Sequence, residues 1–382
     1  MKKLIALMLA LVMCFALVAC GGSSDNGSDS AAAFKIGSSG PLTGGAAIYG
    51  IAVKNGMQIA IDEINAKGGI QFEMQFEDDV ADGETAVNAY NKLMDDGMQI
   101  FAGTVTSGAA LAVAPLTVED NMFALTPSGS NADIVKGNDN YFQVCFTDPN
   151  QGSGSATYIK ANMPEKKIAI IYRNDDSYSQ GIRDTFVAQA KVDGLEIVYE
   201  GTFTEGTSTD FSVQLTAAQA AGANLLFLPI YYQPAAVILT QADNMGYAPI
   251  FFGVDGMDGI LTAEGFDAKL AEGVMLLTPF SADAEDDLTR TFVTKYLDAY
   301  GEIPNQFAAD AYDAVYIIYE CLTNAGCTPD MSVSDICEAL KGEIVKLSYT
   351  GLTGADMTWA ASGEVSKMPT AVVIENGIYV TA

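Results

Sequence analysis

Residues 34–76 read FKIGSSGPLTGGAAIYGIAVKNGMQIAIDEINAKGGIQFEMQF, and the fold class turns on this stretch. Phe34-Lys35-Ile36-Gly37 reads as a first strand, and Gly40-Pro41-Leu42-Thr43-Gly44-Gly45 as a loop. Val53, Met57, Ala60, Ile61 and Ile64 then recur at helical spacing, with Lys54, Gln58, Asp62 and Glu63 on the opposite face. Lys67-Gly68-Gly69 stops that helix by supplying residues that tolerate positive φ. Residues 72–76 form the next strand. Strand, helix, strand is a crossover unit, and such units build parallel sheets with right-handed connections.

The same grammar continues outward. A helix over 84–95, a strand at 100–102, a helix over 109–119 and a strand at 123–125 follow. A second block runs through strand 168–172, helix 178–192, strand 197–203, helix 210–221, strand 225–228, helix 235–245 and strand 250–252. Leu225-Leu226-Phe227-Leu228 is apolar on both faces, as expected when helices cover both sides of a sheet. The two blocks divide near Thr147-Asp148-Pro149, so the pattern predicts two α/β lobes. Strand 274–277, helices 286–300, 308–325 and 334–341, and strands 371–374 and 378–380 complete the chain. The last two strands flank Glu375-Asn376-Gly377, a hairpin signal.

Composition narrows the chemistry. The 382 residues include no histidine, which removes the commonest general base and metal ligand, so neither catalysis nor a metal or other cofactor is expected. The net charge of −29 would repel nucleic-acid phosphates. Asp78 and Asp79 are adjacent, and successive side chains in extended backbone point apart, which argues against a shared acid–base site.

The first residues read as a targeting segment. Lys2 and Lys3 precede an apolar run over 4–18, too short to span a membrane. The run ends in Leu17-Val18-Ala19-Cys20-Gly21, which resembles a bacterial lipobox. That resemblance implies cleavage after residue 19, a diacylglycerol on Cys20, and a protein anchored outside the cell membrane. Removing 1–19 leaves 17 basic and 48 acidic residues, a charge of about −31. Residues 20–33, rich in Gly, Ser and Asp, read as a flexible tether. Cys321, Cys327 and Cys337 lie close in sequence, and one disulfide among them is expected in an oxidising compartment, its pairing open.

Ten strings then occur in order: KIGSSGPLTGGAAIYG, AIDEINAKGGI, FEDDVADGETAVNAYNKLMDDG, GTVTSGA, LTPSGS, DPNQG, DDSYSQG, TDFSVQL, YYQPAAVILTQADNMG and FGVDGMD. Together they resemble the leucine/isoleucine/valine-binding proteins of ABC uptake systems across 34–382. The resemblance implies a type I periplasmic binding protein fold, two doubly wound, Rossmann-like lobes joined by a three-strand hinge. Lobe 1 would comprise 34–147 with 280–368, and lobe 2 148–279 with 369–382. One departure stands out: Ala81 and Thr106 occupy places where well-known members carry a disulfide.

The strings also fall where chemistry is expected, because each follows an apolar strand and precedes a helix. Ser107, at a helix start, offers a hydroxyl and free backbone N–H groups to a carboxylate, or serves simply as an N-cap. The resemblance places the Ser128 carbonyl at a ligand α-ammonium and the Ser130 hydroxyl at its α-carboxylate. It also places Asp255 at the ammonium, with Asp258 as the competing acid. Tyr49, Tyr178 and Tyr231 match cleft-lining positions, Tyr231 and Tyr232 being interchangeable at this level, and Val105 and Phe307 are further wall residues. The implied function is the binding subunit of an ABC importer, a monomer that encloses an amino acid, most readily an apolar one, and docks on a permease. The alternatives are another small ligand, such as urea, an amide or an aromatic acid, and a ligand-sensing receptor module.

Overall fold

The computed structural model describes residues 32–382, so the targeting segment, Cys20 and nearly all of the tether lie outside the described residues. Two twisted sheets organise the rest. The first holds β1 (Phe34–Gly40), β2 (Phe72–Asp78), β3 (Ile100–Phe101), β4 (Ala124–Thr126) and β5 (Tyr141–Gln143), all parallel, in the order β2-β1-β3-β4-β5. The second holds β6 (Lys167–Arg173), β7 (Glu196–Phe203), β8 (Leu225–Leu228), β9 (Ile250–Gly253) and β10 (Met275–Thr278) in the order β7-β6-β8-β9-β10. Each sheet thus repeats one doubly wound order and reverses direction between its first and third strands, which opens a crevice at the strands' carboxyl ends.

Among the described residues, ten α-helices cover the sheets. They are α1 (Ala47–Lys67), α2 (Gly83–Asp95), α3 (Ser107–Glu119), α4 (Asp148–Asn162), α5 (Ser177–Asp193), α6 (Ser212–Ala220), α7 (Tyr232–Asn244), α8 (Asp287–Tyr300), α9 (Gln306–Ala325) and α10 (Val333–Ile344). The apolar face read from α1 is the buried one, from Val53 to Ile64. Two small strands, β11 (Ser348–Tyr349) and β12 (Met357–Thr358), pair with each other. Strands β13 (Thr370–Glu375) and β14 (Ile378–Thr381) add an antiparallel edge beside β10. Their turn puts Asn376 at φ 54° and Gly377 at φ 77°, the backbone an Asn-Gly hairpin requires. The chain passes between the sheets three times, over 144–147, 279–286 and 359–369.

Four elements escape the sequence pattern: helix α4, strand β5 and the short pair β11 and β12. Helix α4 runs through DPNQGSGSATYIKAN, whose glycines and serines are poor helix formers. It forms because α5 packs against it at very short range. A Cβ on Gly152 would lie 2.4 Å from the Ile182 carbonyl and 2.7 Å from the Phe186 nitrogen, so glycine is what permits the approach. Strand β5 is three residues long and shows no period. The cysteine expectation also fails. Cys145, Cys321, Cys327 and Cys337 are all buried free thiols. Each packs as a small apolar group, and burial pushes Cys321 and Cys337 up to about 12, away from the thiolate that disulfide exchange needs.

Candidate functional site

The loops at the carboxyl ends of β1, β3, β4, β6, β8 and β9 converge on one small, enclosed cavity. Its volume is about 10 Å³, room for about one water. Val105, Thr106, Ser107 and Ser128 line it from the first sheet, and Tyr178, Tyr231, Asp255 and Gly256 from the second. Tyr49 at the start of α1 and Phe307 at the start of α9 close the remaining side. Eight of the nine sequence-predicted binding residues therefore meet there.

The first-sheet side is a nest of hydrogen-bond donors. Ser107 is the first residue of α3 rather than its N-cap; that position falls to Thr106, in extended backbone with no side-chain capping bond. The Ser107 hydroxyl oxygen accepts the N–H groups of Ser130 and Asn131, both at 3.2 Å, which leaves its proton to donate elsewhere. The Thr106 hydroxyl is buried with no partner among the described residues. A helix N-terminus with unspent hydroxyls favours an anion. Ser128 is braced by donating its hydroxyl to the Val105 carbonyl at 2.7 Å.

Ser130 is the exception. It is fully buried behind the lining, with its N–H on Ser107, its carbonyl accepting from the Asp148 N–H at 2.8 Å, and its hydroxyl beside the Asp148 carboxylate. Asp148 beside it is also buried, and burial pushes its pKa well up, with the Ser130 and Asn131 side chains pulling the other way.

The second-sheet side carries the acid. Asp255 opens a short turn after β9 and is 4% exposed. Its Oδ1 accepts the Tyr178 hydroxyl at 2.5 Å, and Tyr178 in turn accepts the Gly256 N–H at 2.9 Å. Burial pushes the Asp255 carboxyl up to about 7, with the Tyr178 hydrogen bond pulling the other way. Asp258 is placed differently. Its Oδ2 accepts the Gln306 N–H at 3.0 Å, so it holds the start of α9 and does not face this cavity.

Four aromatic rings wall the space. Tyr231 packs 5.0 Å from Tyr178 and 5.3 Å from Tyr49 between ring centroids, and Phe307 lies 4.4 Å from Tyr49. Tyr231 lines the cavity, whereas Tyr232 lies behind Tyr49 and donates its N–H to the Tyr49 hydroxyl at 3.1 Å. That hydroxyl donates to the Gly256 carbonyl. Tyr49 thus ties the two sides together, as does Gln306, whose Nε2 donates to the Asp255 carbonyl at 2.8 Å.

Residues the sequence reading left unassigned include Thr106, Gly256, Gln306 and Gln151, the last accepting the Asp255 N–H at 3.1 Å. Gln151 sits inside the quoted DPNQG string; Gln306 carried no local signal. Asp78 and Asp79 brace loops. Asp78 accepts from Leu42, Thr43 and Val80, and Asp79 from Ser39 and Ala81.

Comparisons with known proteins agree with this fold. The sequence matches the periplasmic binding protein family over residues 33–376. It is 30% identical to the Leu/Ile/Val-binding protein BraC3 of Rhizobium johnstonii over 80% of this chain and 83% of the relative. Identity to the Leu/Ile/Val-binding protein homolog 3 of Brucella melitensis is 29%, over 77% of this chain and 80% of the relative. A leucine binding protein LivK from Thermotoga maritima superposes with a TM-score of 0.82 at 26% identity, covering 91% of this chain and 97% of its own. The branched-chain amino acid transporter substrate binding protein LivJ of Streptococcus pneumoniae, solved with isoleucine, gives 0.80 at 27%, covering 92% and 100%. Fold order, converging loops and sequence match together show that the chain belongs to the periplasmic binding protein family.

Proposed function

We propose that this protein is the extracytoplasmic binding subunit of an ABC importer and captures a branched-chain or other apolar amino acid between its two lobes. The observation that carries this reading is the polarity across the cavity. Unspent hydroxyls and a helix N-terminus face it from one side, and a buried carboxylate from the other, with aromatic rings between. A zwitterion with an apolar side chain matches all three features. A ligand with only a carboxylate would leave the buried Asp255 charge with no cation to offset it.

Closure is driven by the ligand, because contacts to both sides exist only when the lobes meet. Nothing here requires a reaction: the cavity holds a carboxylate braced by a tyrosine but no side chain poised as a nucleophile beside a base. The soluble body would be held at the membrane by an acylated Cys20 and would dock on a permease as a monomer.

A thermal-shift screen of the twenty amino acids, urea, amides and aromatic acids tests the ligand class. At ~100 times its dissociation constant a true ligand stabilises by about 2.7 kcal/mol. Leucine, isoleucine or valine should give the largest shifts and be recovered unchanged. A larger shift from benzoate or urea would replace the amino-acid reading. The anchor is tested separately, since Cys20→Ser protein should leave the membrane fraction.

A further inference from the structure

A second, much larger space lies beside the cleft and opens on the surface. It encloses about 540 Å³, against about 10 Å³ between the site loops. Ile48, Ile51 and Val293 line it from α1 and α8, and Leu261 and Ile378 from the segments that follow β9 and β13. Phe280 of a crossing segment lines it as well. Helix α1 joins two strands of the first sheet, whereas β9 and β13 belong to the second. Parting the two sides to admit a ligand therefore separates the two halves of this lining, and the groove is whole only in the closed form.

Its polar lining groups are largely spent. Asp258 and the Tyr379 hydroxyl hydrogen-bond to each other. Thr262 donates its hydroxyl to the Gly259 carbonyl at 3.1 Å, and Asn305 accepts the Ala308 N–H at 3.2 Å. The groove thus offers apolar surface rather than a polar grip on a small molecule. Ile51, Ile303 and Ile378 carry that surface out to its mouth, at 41%, 60% and 48% exposure. The charge around it has one sign. Asp283 and Glu302 line the groove and are exposed, Glu285, Asp286 and Asp287 extend the exposed acidic run, and no lysine or arginine lines it. An apolar centre within a charged rim is the anatomy of a protein–protein interface.

We infer that this groove is the surface by which the closed protein docks on its permease, receiving an apolar side chain from an extracytoplasmic permease segment flanked by lysine or arginine. The inference rests on the importer reading, which requires a partner that tells the loaded form from the empty one. A lining drawn from both sheets reports closure, and the acidic rim selects a basic segment and steers its approach. A second copy of this chain fits worse, because at a net charge of −29 it brings an acidic surface to an acidic rim.

Isoleucine uptake by cells that lack the chromosomal copy, complemented with the parent or a variant at equal amounts in the membrane fraction, tests the assignment. Ile51→Asp and Ile378→Asp, one from each side, should each lower uptake at least tenfold, while calorimetry gives an isoleucine affinity within threefold of the parent. Glu302→Lys should lower uptake at least threefold. Val213→Asp, exposed but outside the groove, should leave it unchanged. Parent-level uptake with Ile51→Asp and Ile378→Asp, or an equal loss with Val213→Asp, would overturn the docking surface and leave the importer reading standing. Uptake and isoleucine affinity falling together would trace the loss to the cleft, against the proposal. A parent that binds no amino acid and restores no uptake would remove both readings. Sedimentation supplies the last arm: a dimeric parent with a monomeric Ile51→Asp would seat a second copy in the groove instead of the permease.

Discussion

At the scale of single residues, Asp255 concentrates the chemistry of the cleft. Its carboxyl is raised to about 7 by burial, so in the empty protein it takes up a proton near neutrality. A carboxyl whose pKa is raised on folding favours the folded state at low pH. That contribution is complete below about 4, the unfolded value, and is lost as pH rises through about 7. An ammonium needs the charged form, so ligand binding runs the other way. Affinity for isoleucine should fall on acidification below pH 7, approaching tenfold per unit while the protonated form binds poorly. Asp255→Asn should remove most of this dependence and weaken binding by roughly 2–5 kcal/mol, thirty-fold or more. Calorimetry from pH 5 to pH 8 on both proteins decides; a flat profile in the parent would place the ammonium elsewhere. Asp258→Asn should barely change isoleucine affinity, because that carboxylate supports α9 outside the cavity.

Another buried group acts through its neighbours. Lys367 Nζ lies 2.7 Å from Asp310 Oδ1, both almost fully buried, and donates to the Thr353 hydroxyl at 2.5 Å. Asp313, which burial pushes up to about 6, accepts the Leu352 and Thr353 N–H groups nearby. Lys367→Met would strand Asp310 in the interior. Losing one member of such a pair costs about 3–5 kcal/mol, so Tm should drop by many degrees with little change in cleft residues.

At the scale of elements, helix contacts depend on places where no side chain fits. The α4–α5 contact closes over Gly152, and α1 approaches α9 over Gly56, where a Cβ would sit 2.1 Å from the Ala308 carbonyl oxygen. Gly152→Ala should force α4 and α5 apart and destabilise by about 1–3 kcal/mol, read as a lowered urea midpoint at unchanged slope. Because α4 carries Gln151, which positions Asp255, and α5 carries Tyr178, the same change should weaken ligand binding. Destabilisation without any affinity loss would show that the two helices do not transmit strain to the site. This dependence also explains why α4 was illegible. Its residues lack both helical propensity and an apolar stripe, and only the neighbouring helix makes the conformation worthwhile.

At the scale of the whole molecule, the cavity is closed around a space far smaller than any amino acid. The lobes must therefore part to admit a ligand, and the contacts that cross between them set the cost. Tyr49 is central, since its hydroxyl joins the Gly256 carbonyl and the Tyr232 N–H. Tyr49→Phe would leave both groups buried without a partner, at about 1–3 kcal/mol. Affinity should fall about tenfold, chiefly through faster ligand release. Small-angle scattering should show the radius of gyration decreasing when isoleucine is added to the parent. An unchanged radius would sink the closure mechanism.

The alternating strand–helix order, the two α/β halves and the terminal hairpin were legible in the residues alone, and the ten family strings pointed to most residues around the cavity. These are local: side-chain periodicity sets which face of an element is buried, glycines set where it stops, and a loop after an apolar strand lies at a sheet's carboxyl edge. The folded chain settled what depends on distance between remote segments. It turned Tyr231 rather than Tyr232 toward the cavity, set Ser130 behind Ser107, and assigned Asp258 to α9 instead of the cleft. It also left the clustered cysteines as buried free thiols. Such choices rest on packing and burial between residues tens to hundreds of positions apart, and those are properties of the folded chain alone.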